Sequence, residues 1–229
     1  FLDIAPYRKL CELPELVDAV DKLVGEGFHI GFSPPSFENS HAGILYEPAE
    51  QPWCTQWHRD WRDNIPGLDI DLWRQHRDDI RMFNQVNCAL YEDHCTWVVP
   101  GSHLRDDLPD EIRRFPMRPV PGPTITDDMT SEQREVICLE YVQSMPGALC
   151  ARLNAGDYML YRNSLWHLGN YLPYKKRATL HDGVWTEAFH KWFTNWPRRP
   201  DGKSEMANAN TQTPEYQAWA AKQETAGAV

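Results

Sequence analysis

What most limits the fold open to this chain is a succession of short strand-like runs broken by turn residues, with only brief stretches of helical period. Residues 28–32, 43–46, 53–60, 80–91, 96–99, 148–153, 158–161 and 177–185 read as strands, separated by clusters of Gly, Pro, Asn and Asp. Leu13, Leu16, Val17, Val20, Leu23 and Val24 recur at helical spacing, and Gly25 and Gly27 close that helix. Shorter helical candidates lie at 69–79, 187–196 and, in the polar tail, 214–222. Many short strands with few helices and no internal repeat fit a β-sandwich or barrel.

A length of 229 residues suits one such domain. Its expected parts are a core over about 28–196, an insertion at 105–135 and a tail at 197–229. The insertion is rich in charge and proline, and a loop that long inside a compact domain is expected to serve as a lid. Pro100-Gly101 predicts a tight turn, as does Asn154-Ala155-Gly156-Asp157, read as the turn of a hairpin. Ten tryptophans, Trp57, Trp61 and Trp166 among them, are expected to fill the core.

A net charge of -10 argues against nucleic-acid binding, because the basic patches Lys175-Lys176-Arg177 and Arg198-Arg199 are short. No apolar run approaches the roughly 20 residues that span a bilayer, and the first residues do not read as a signal peptide. The opening Phe1-Leu2-Asp3 lacks Met, as expected of a trimmed or internally started chain. Six scattered cysteines without a Cys-x-x-Cys read as reduced thiols of a cytoplasmic protein rather than as disulfides or a zinc site.

One tetrapeptide stands out against this frame, Trp57-His58-Arg59-Asp60. If residues 53–60 are extended, Cys54, Gln56, His58 and Asp60 share one face, and Trp53, Thr55, Trp57 and Arg59 the other. An imidazole and a carboxylate two apart on one face make half a metal site. A His-x-Asp tripeptide is common by chance, so a third ligand must come from elsewhere in the chain. Trp166-His167, with Arg177 ten residues on, is the best candidate. Two histidines and one carboxylate on one side of a metal leave the opposite positions open, the arrangement expected of a non-haem Fe(II) oxygenase.

The ordered set Gln56-Trp57-His58-Arg59-Asp60, Ala89-Leu90, Val98-Val99-Pro100-Gly101-Ser102-His103, Ala155-Gly156-Asp157 and Trp166-His167 followed by Arg177 resembles the phytanoyl-CoA dioxygenase family of Fe(II)- and 2-oxoglutarate-dependent oxygenases. The resemblance covers about 51–185. It implies a mainly β fold, a double-stranded β-helix (a cupin-like jelly-roll) with flanking helices. It implies iron ligation by His58, Asp60 and His167, an Arg177 pairing with the far carboxylate of 2-oxoglutarate, and a cosubstrate contact from Gln56; Asn87 stands where relatives commonly have Trp and either supplies an amide to 2-oxoglutarate or only fills space. The reaction it implies couples O2 and 2-oxoglutarate to oxidation of an unactivated C–H bond of a small, apolar or amphipathic metabolite, with release of succinate and CO2. Retention of Asp60 favours hydroxylation, because related halogenases replace that carboxylate with a small residue. Two other uses of the same residues are a cupin-like metal protein with 2-oxoglutarate-independent activity and a non-catalytic β-sandwich binding module with a closed, structural metal site.

Overall fold

A computed structural model describes residues 5–31, 43–48, 50–63, 68–117 and 119–194. Two short helices open it, α1 (Ala5–Cys11) and α2 (Pro14–Val24). Proline at the first helical position of α2 needs no N–H partner, and Gly25 at φ 80 ends the helix in a conformation that penalises any Cβ.

Strands β2 (Gly43–Tyr46), β4 (Gln85–Ala89), β7 (Tyr158–Tyr161) and β9 (Ala178–Asp182) form one antiparallel sheet in the order β2-β9-β4-β7. Strands β3 (Trp53–Cys54), β5 (Thr96–Val98), β6 (Leu149–Cys150) and β8 (His167–Tyr171) form a second, in the order β3-β8-β5-β6. The chain therefore winds between the sheets as it advances. This is the interleaving of a double-stranded β-helix, the jelly-roll expected from the sequence. A small antiparallel pair, β1 (Phe28–Ile30) with β10 (Val184–Thr186), extends it.

The period-two alternation of the strands decides where the polar residues go. Val86, Cys88 and Leu180 pack outward on Val20 and Val24 of α2. Leu168 packs outward with Trp57 and Trp166 on Cys138 and Val142 of α5 (Ser131–Gln143). Each sheet thus covers an outer apolar face with a helix, and the alternate positions Gln85, Asn87, His167, Gly169, Tyr171 and His181 are left to line a cavity. A third cluster, Trp61, Leu68, Trp73, Phe83, Trp185 and Phe189, joins α3 (Ile70–His76) to α6 (Glu187–Thr194). Helix α3 starts at Asp69, whose carboxylate accepts from the N–H groups of Asp71 and Leu72.

The structure departs from the sequence reading in several places. Residues 53–60 are not one strand: β3 ends at Cys54, and pairing resumes only as a single bridge between His58 and His167. Residues 167–171, outside the strands expected from the sequence, are strand β8. The 105–135 insertion carries α4 (Pro109–Arg114) and the first turn of α5, and Phe115 and Val120 are buried in the cluster around Trp57 and Trp166. The Asn154–Asp157 turn, with Gly156 at φ 92, is a corner rather than a hairpin, because β6 and β7 lie in different sheets. The 214–222 helical candidate lies outside the described residues.

Candidate metal centre

His58 and His167 face each other across their bridge. Each backbone N–H donates to the other's carbonyl, at 3.2 Å from His58 and 3.0 Å from His167, and the ring centroids lie 4.2 Å apart. Their Nδ1 atoms lie against carbonyls, that of His58 2.8 Å from the Gln56 oxygen and that of His167 2.9 Å from the Leu165 oxygen. A carbonyl only accepts, so both Nδ1 atoms carry a proton, and Nε2 is the atom each imidazole has to offer a metal. Both Nε2 atoms converge on Asp60: Nε2 of His58 is 3.5 Å from Oδ1, and Nε2 of His167 is 3.8 Å from Oδ2. The three ligand atoms lie within 4.8 Å of one another. Burial first, and then the neighbouring His58, push the His167 imidazole down to about 4 against the pull of Asp60, so it is neutral and ready to ligate at physiological pH.

The carboxylate is held in turn. The Tyr161 hydroxyl bonds the Gln85 amide oxygen, and Gln85 Nε2 reaches Asp60 Oδ2 at 3.4 Å. Burial raises the Tyr161 phenol well above its ordinary value, so it stays a donor. Such outer contacts orient ligands and tune their basicity.

Behind the histidine arm sits a buried ion cluster. Arg59, fully buried between the two sequence-adjacent ligands, donates to the Ser102 oxygen at 2.5 Å and to Asp107 Oδ1 at 3.0 Å. Arg62 bridges Asp63, at 2.7 and 3.0 Å, and Asp107, at 3.0 Å to each oxygen. Both guanidinium groups stack on Trp166, at 5.1 and 4.7 Å. The cluster therefore joins the segment carrying His58 and Asp60 to the residue that precedes His167. Trp61, directly after Asp60, takes a left-handed φ of 70, a conformation that packing must enforce in a non-glycine residue.

Arg177 lines the same cavity of about 150 Å³ as His58 and His167, together with Asn87, Thr55, Tyr171 and His181. It is 4% exposed. Its Nε donates to Asp93 Oδ2 at 2.9 Å, and its Nη1 is buried without a partner among the described residues. Burial alone would raise the Asp93 carboxyl, but the Thr179 hydroxyl, the Arg177 guanidinium and the Cys95 N–H hold it below the usual range. A buried guanidinium with one edge fixed and one N–H unanswered suits an incoming carboxylate.

Asn87 also lines the cavity, donating from Nδ2 to Thr96 Oγ1 at 3.0 Å, with Oδ1 2.8 Å from His181 Nδ1. Gln56 does not. It is exposed and contributes only its carbonyl, because the chain leaves strand geometry after Cys54 and Thr55 takes the inward place. Sequence reasoning also missed Gln85, Tyr161, Asp93 and Tyr171. Only the alternation Gln85-x-Asn87, two amides on one face of a strand whose other face is apolar, could have signalled any of them.

No family model matches the chain, and no curated protein does. Several solved structures resemble it. EctD from S. alaskensis with bound Fe aligns at 16% identity and a TM-score of 0.47, over 80% of this chain and 53% of that one. AviO1 from Streptomyces viridochromogenes Tue57 aligns at 17% identity and a TM-score of 0.45, over 82% and 64%. EvdMO1 aligns at 18% identity and a TM-score of 0.44, over 79% and 32%. The alignments thus span 32% to 64% of the length of these structures. All six cysteines are free, and no helix among the described residues is long and apolar enough to cross a membrane.

Proposed function

We propose that this chain is a single catalytic jelly-roll domain of an Fe(II)- and 2-oxoglutarate-dependent dioxygenase that hydroxylates an unactivated C–H bond of a small apolar or amphipathic metabolite. The observation that carries this reading is one cavity lined by both histidines of a two-histidine, one-carboxylate cluster and by a buried arginine whose Nη1 has no partner among the described residues. Three protein ligands on one side suit a catalytic metal better than a closed structural site. Their make-up suits Fe(II), with two imidazoles and a carboxylate already oriented by second contacts. The motif order set out from the sequence, that of the phytanoyl-CoA dioxygenase family, supports the same reading.

His58, Asp60 and His167 would hold the iron, which with 2-oxoglutarate and O2 supplies the oxidising power for C–H cleavage and releases succinate and CO2. The chain's own residues prepare that chemistry. The Gln56 and Leu165 carbonyls fix the histidine tautomers, and Gln85 with Tyr161 fixes the Asp60 carboxylate. Arg177, steadied by Asp93, anchors the far carboxylate of the cosubstrate. Asn87 braces the wall between Thr96 and His181. The retained Asp60 favours hydroxylation over halogenation, and the free thiols fit a reducing, cytoplasmic setting.

The test is succinate formation from 2-oxoglutarate by the Fe(II)-loaded protein under O2, screened across candidate metabolites. Succinate production that is stimulated by at least one metabolite and abolished by Asp60→Ala supports the reading. Turnover of a metabolite without succinate would replace it with 2-oxoglutarate-independent chemistry.

A further inference from the structure

We propose that Tyr171 is a second cosubstrate-binding residue, its hydroxyl donating to the 2-oxo acid that Arg177 anchors, and that Gly169 is the vacancy that lets it do so. The inference rests on the cosubstrate reading above and adds to it the residue that completes the acid's seat.

Strand β8 alternates His167, Gly169 and Tyr171 onto one face, and all three line the metal cavity. A Cβ at Gly169 would lie 2.0 Å from the Tyr171 hydroxyl oxygen, 2.3 Å from Cζ and 2.7 Å from Cε2. The phenol therefore folds back along its own strand, and its hydroxyl rests over Gly169, one pleat step from the candidate ligand His167. No other residue type leaves that space. Gly169 does not have a left-handed φ, so it is required here for room rather than for backbone freedom.

The ring is fixed from two sides. Trp53 stacks on it with centroids 4.6 Å apart and planes at 28°, and the Arg177 guanidinium lies 4.9 Å from its centroid. Burial raises the phenol's pKa, which keeps the hydroxyl protonated and able to donate. A carboxylate offers about four lone-pair sites, more than the free edge of one arginine fills. An acid held between the candidate metal ligands and Arg177 would occupy the cavity that Tyr171 lines with His58, His167 and Arg177.

The experiment measures 2-oxoglutarate binding to the Mn(II)-loaded protein by calorimetry, with Mn(II) affinity measured separately. Tyr171→Phe keeps the ring, its stack on Trp53 and its contact with Arg177, and removes only the hydroxyl. It should weaken 2-oxoglutarate by roughly tenfold, the loss expected for a hydrogen bond to a charged group, and leave Mn(II) affinity unchanged. Gly169→Ala should weaken 2-oxoglutarate at least as much, because its methyl displaces the phenol. Wild-type binding that Tyr171→Phe matches would overturn this inference alone, as would an equal loss of Mn(II) and 2-oxoglutarate affinity. No 2-oxoglutarate binding by the Mn(II)-loaded wild type would overturn the cosubstrate reading and this inference with it.

Discussion

Arg177 is placed to bind rather than to stabilise, because its Nε is already satisfied by Asp93 while its buried Nη1 has no partner among the described residues. Arg177→Ala should raise the 2-oxoglutarate requirement about a hundredfold, the loss expected when one partner of a buried charge pair is removed. The Fe(II) requirement should move far less, and titrating each in turn checks the split. His167 gives a pH prediction for the metal-free protein. Its folded pKa of about 4 lies below the ordinary 6.5, so between those values the unfolded chain binds the extra proton more readily. Its contribution to stability is complete above about pH 6.5 and is lost as pH falls toward 4. Melting temperatures across that range should fall in wild type and fall less steeply in His167→Gln. The three candidate ligands were legible in the sequence because few combinations of side chains present two imidazoles and a carboxylate for another purpose. Gln56 was misplaced because strand alternation was carried past Cys54, where pairing stops. Asp93 and Tyr161 were invisible because their roles come from partners far away in the chain, Arg177 and Thr179 for the first and Gln85 for the second.

Among the elements, the segment from Trp57 to Asp63 carries two ligands without being a regular strand, so its shape depends on what grips it. One grip is the Arg59, Arg62, Asp63 and Asp107 cluster. Asp107→Asn leaves two buried guanidinium groups with too little negative charge, and should destabilise the fold by about 3 kcal/mol, read by denaturant titration. The other is α5, whose Tyr141 hydroxyl accepts from the Trp57 N–H at 3.1 Å and donates to the Pro121 carbonyl at 2.9 Å. Tyr141→Phe strands a buried N–H one residue before His58, and should cost about 2 kcal/mol in the same measurement. Helix α5 escaped the sequence reading because its apolar residues do not gather on one face. Val136 and Leu139 are exposed, and only Cys138 and Val142 are buried. Its start was legible, since Thr130 and Gln133 form a capping box. A β-sandwich or barrel was readable as a class from the run of short strands, and the jelly-roll only through the family resemblance. Its pairing was not, because corners between sheets and hairpin turns use the same residues, as the Asn154–Asp157 turn shows.

For the whole molecule, the arrangement places apolar faces outward under helices and polar residues inward around one cavity. A bound metal would tie β8 to the segment after β3, and through Asp60 and Gln85 to β4 of the opposite sheet. Metal at a hundredfold excess over its dissociation constant should therefore stabilise the fold by about 2.7 kcal/mol. In a domain of this size that corresponds to a rise in melting temperature of roughly 5 to 10 °C. The rise should vanish in His58→Ala, Asp60→Ala and His167→Ala alike. The most direct test of the central claim is the visible absorption of the protein under strict anaerobiosis with Fe(II) and 2-oxoglutarate together. The account predicts a weak charge-transfer band that appears only when both are present and is lost in His167→Ala. Full iron loading of the wild-type protein with no such band would contradict it.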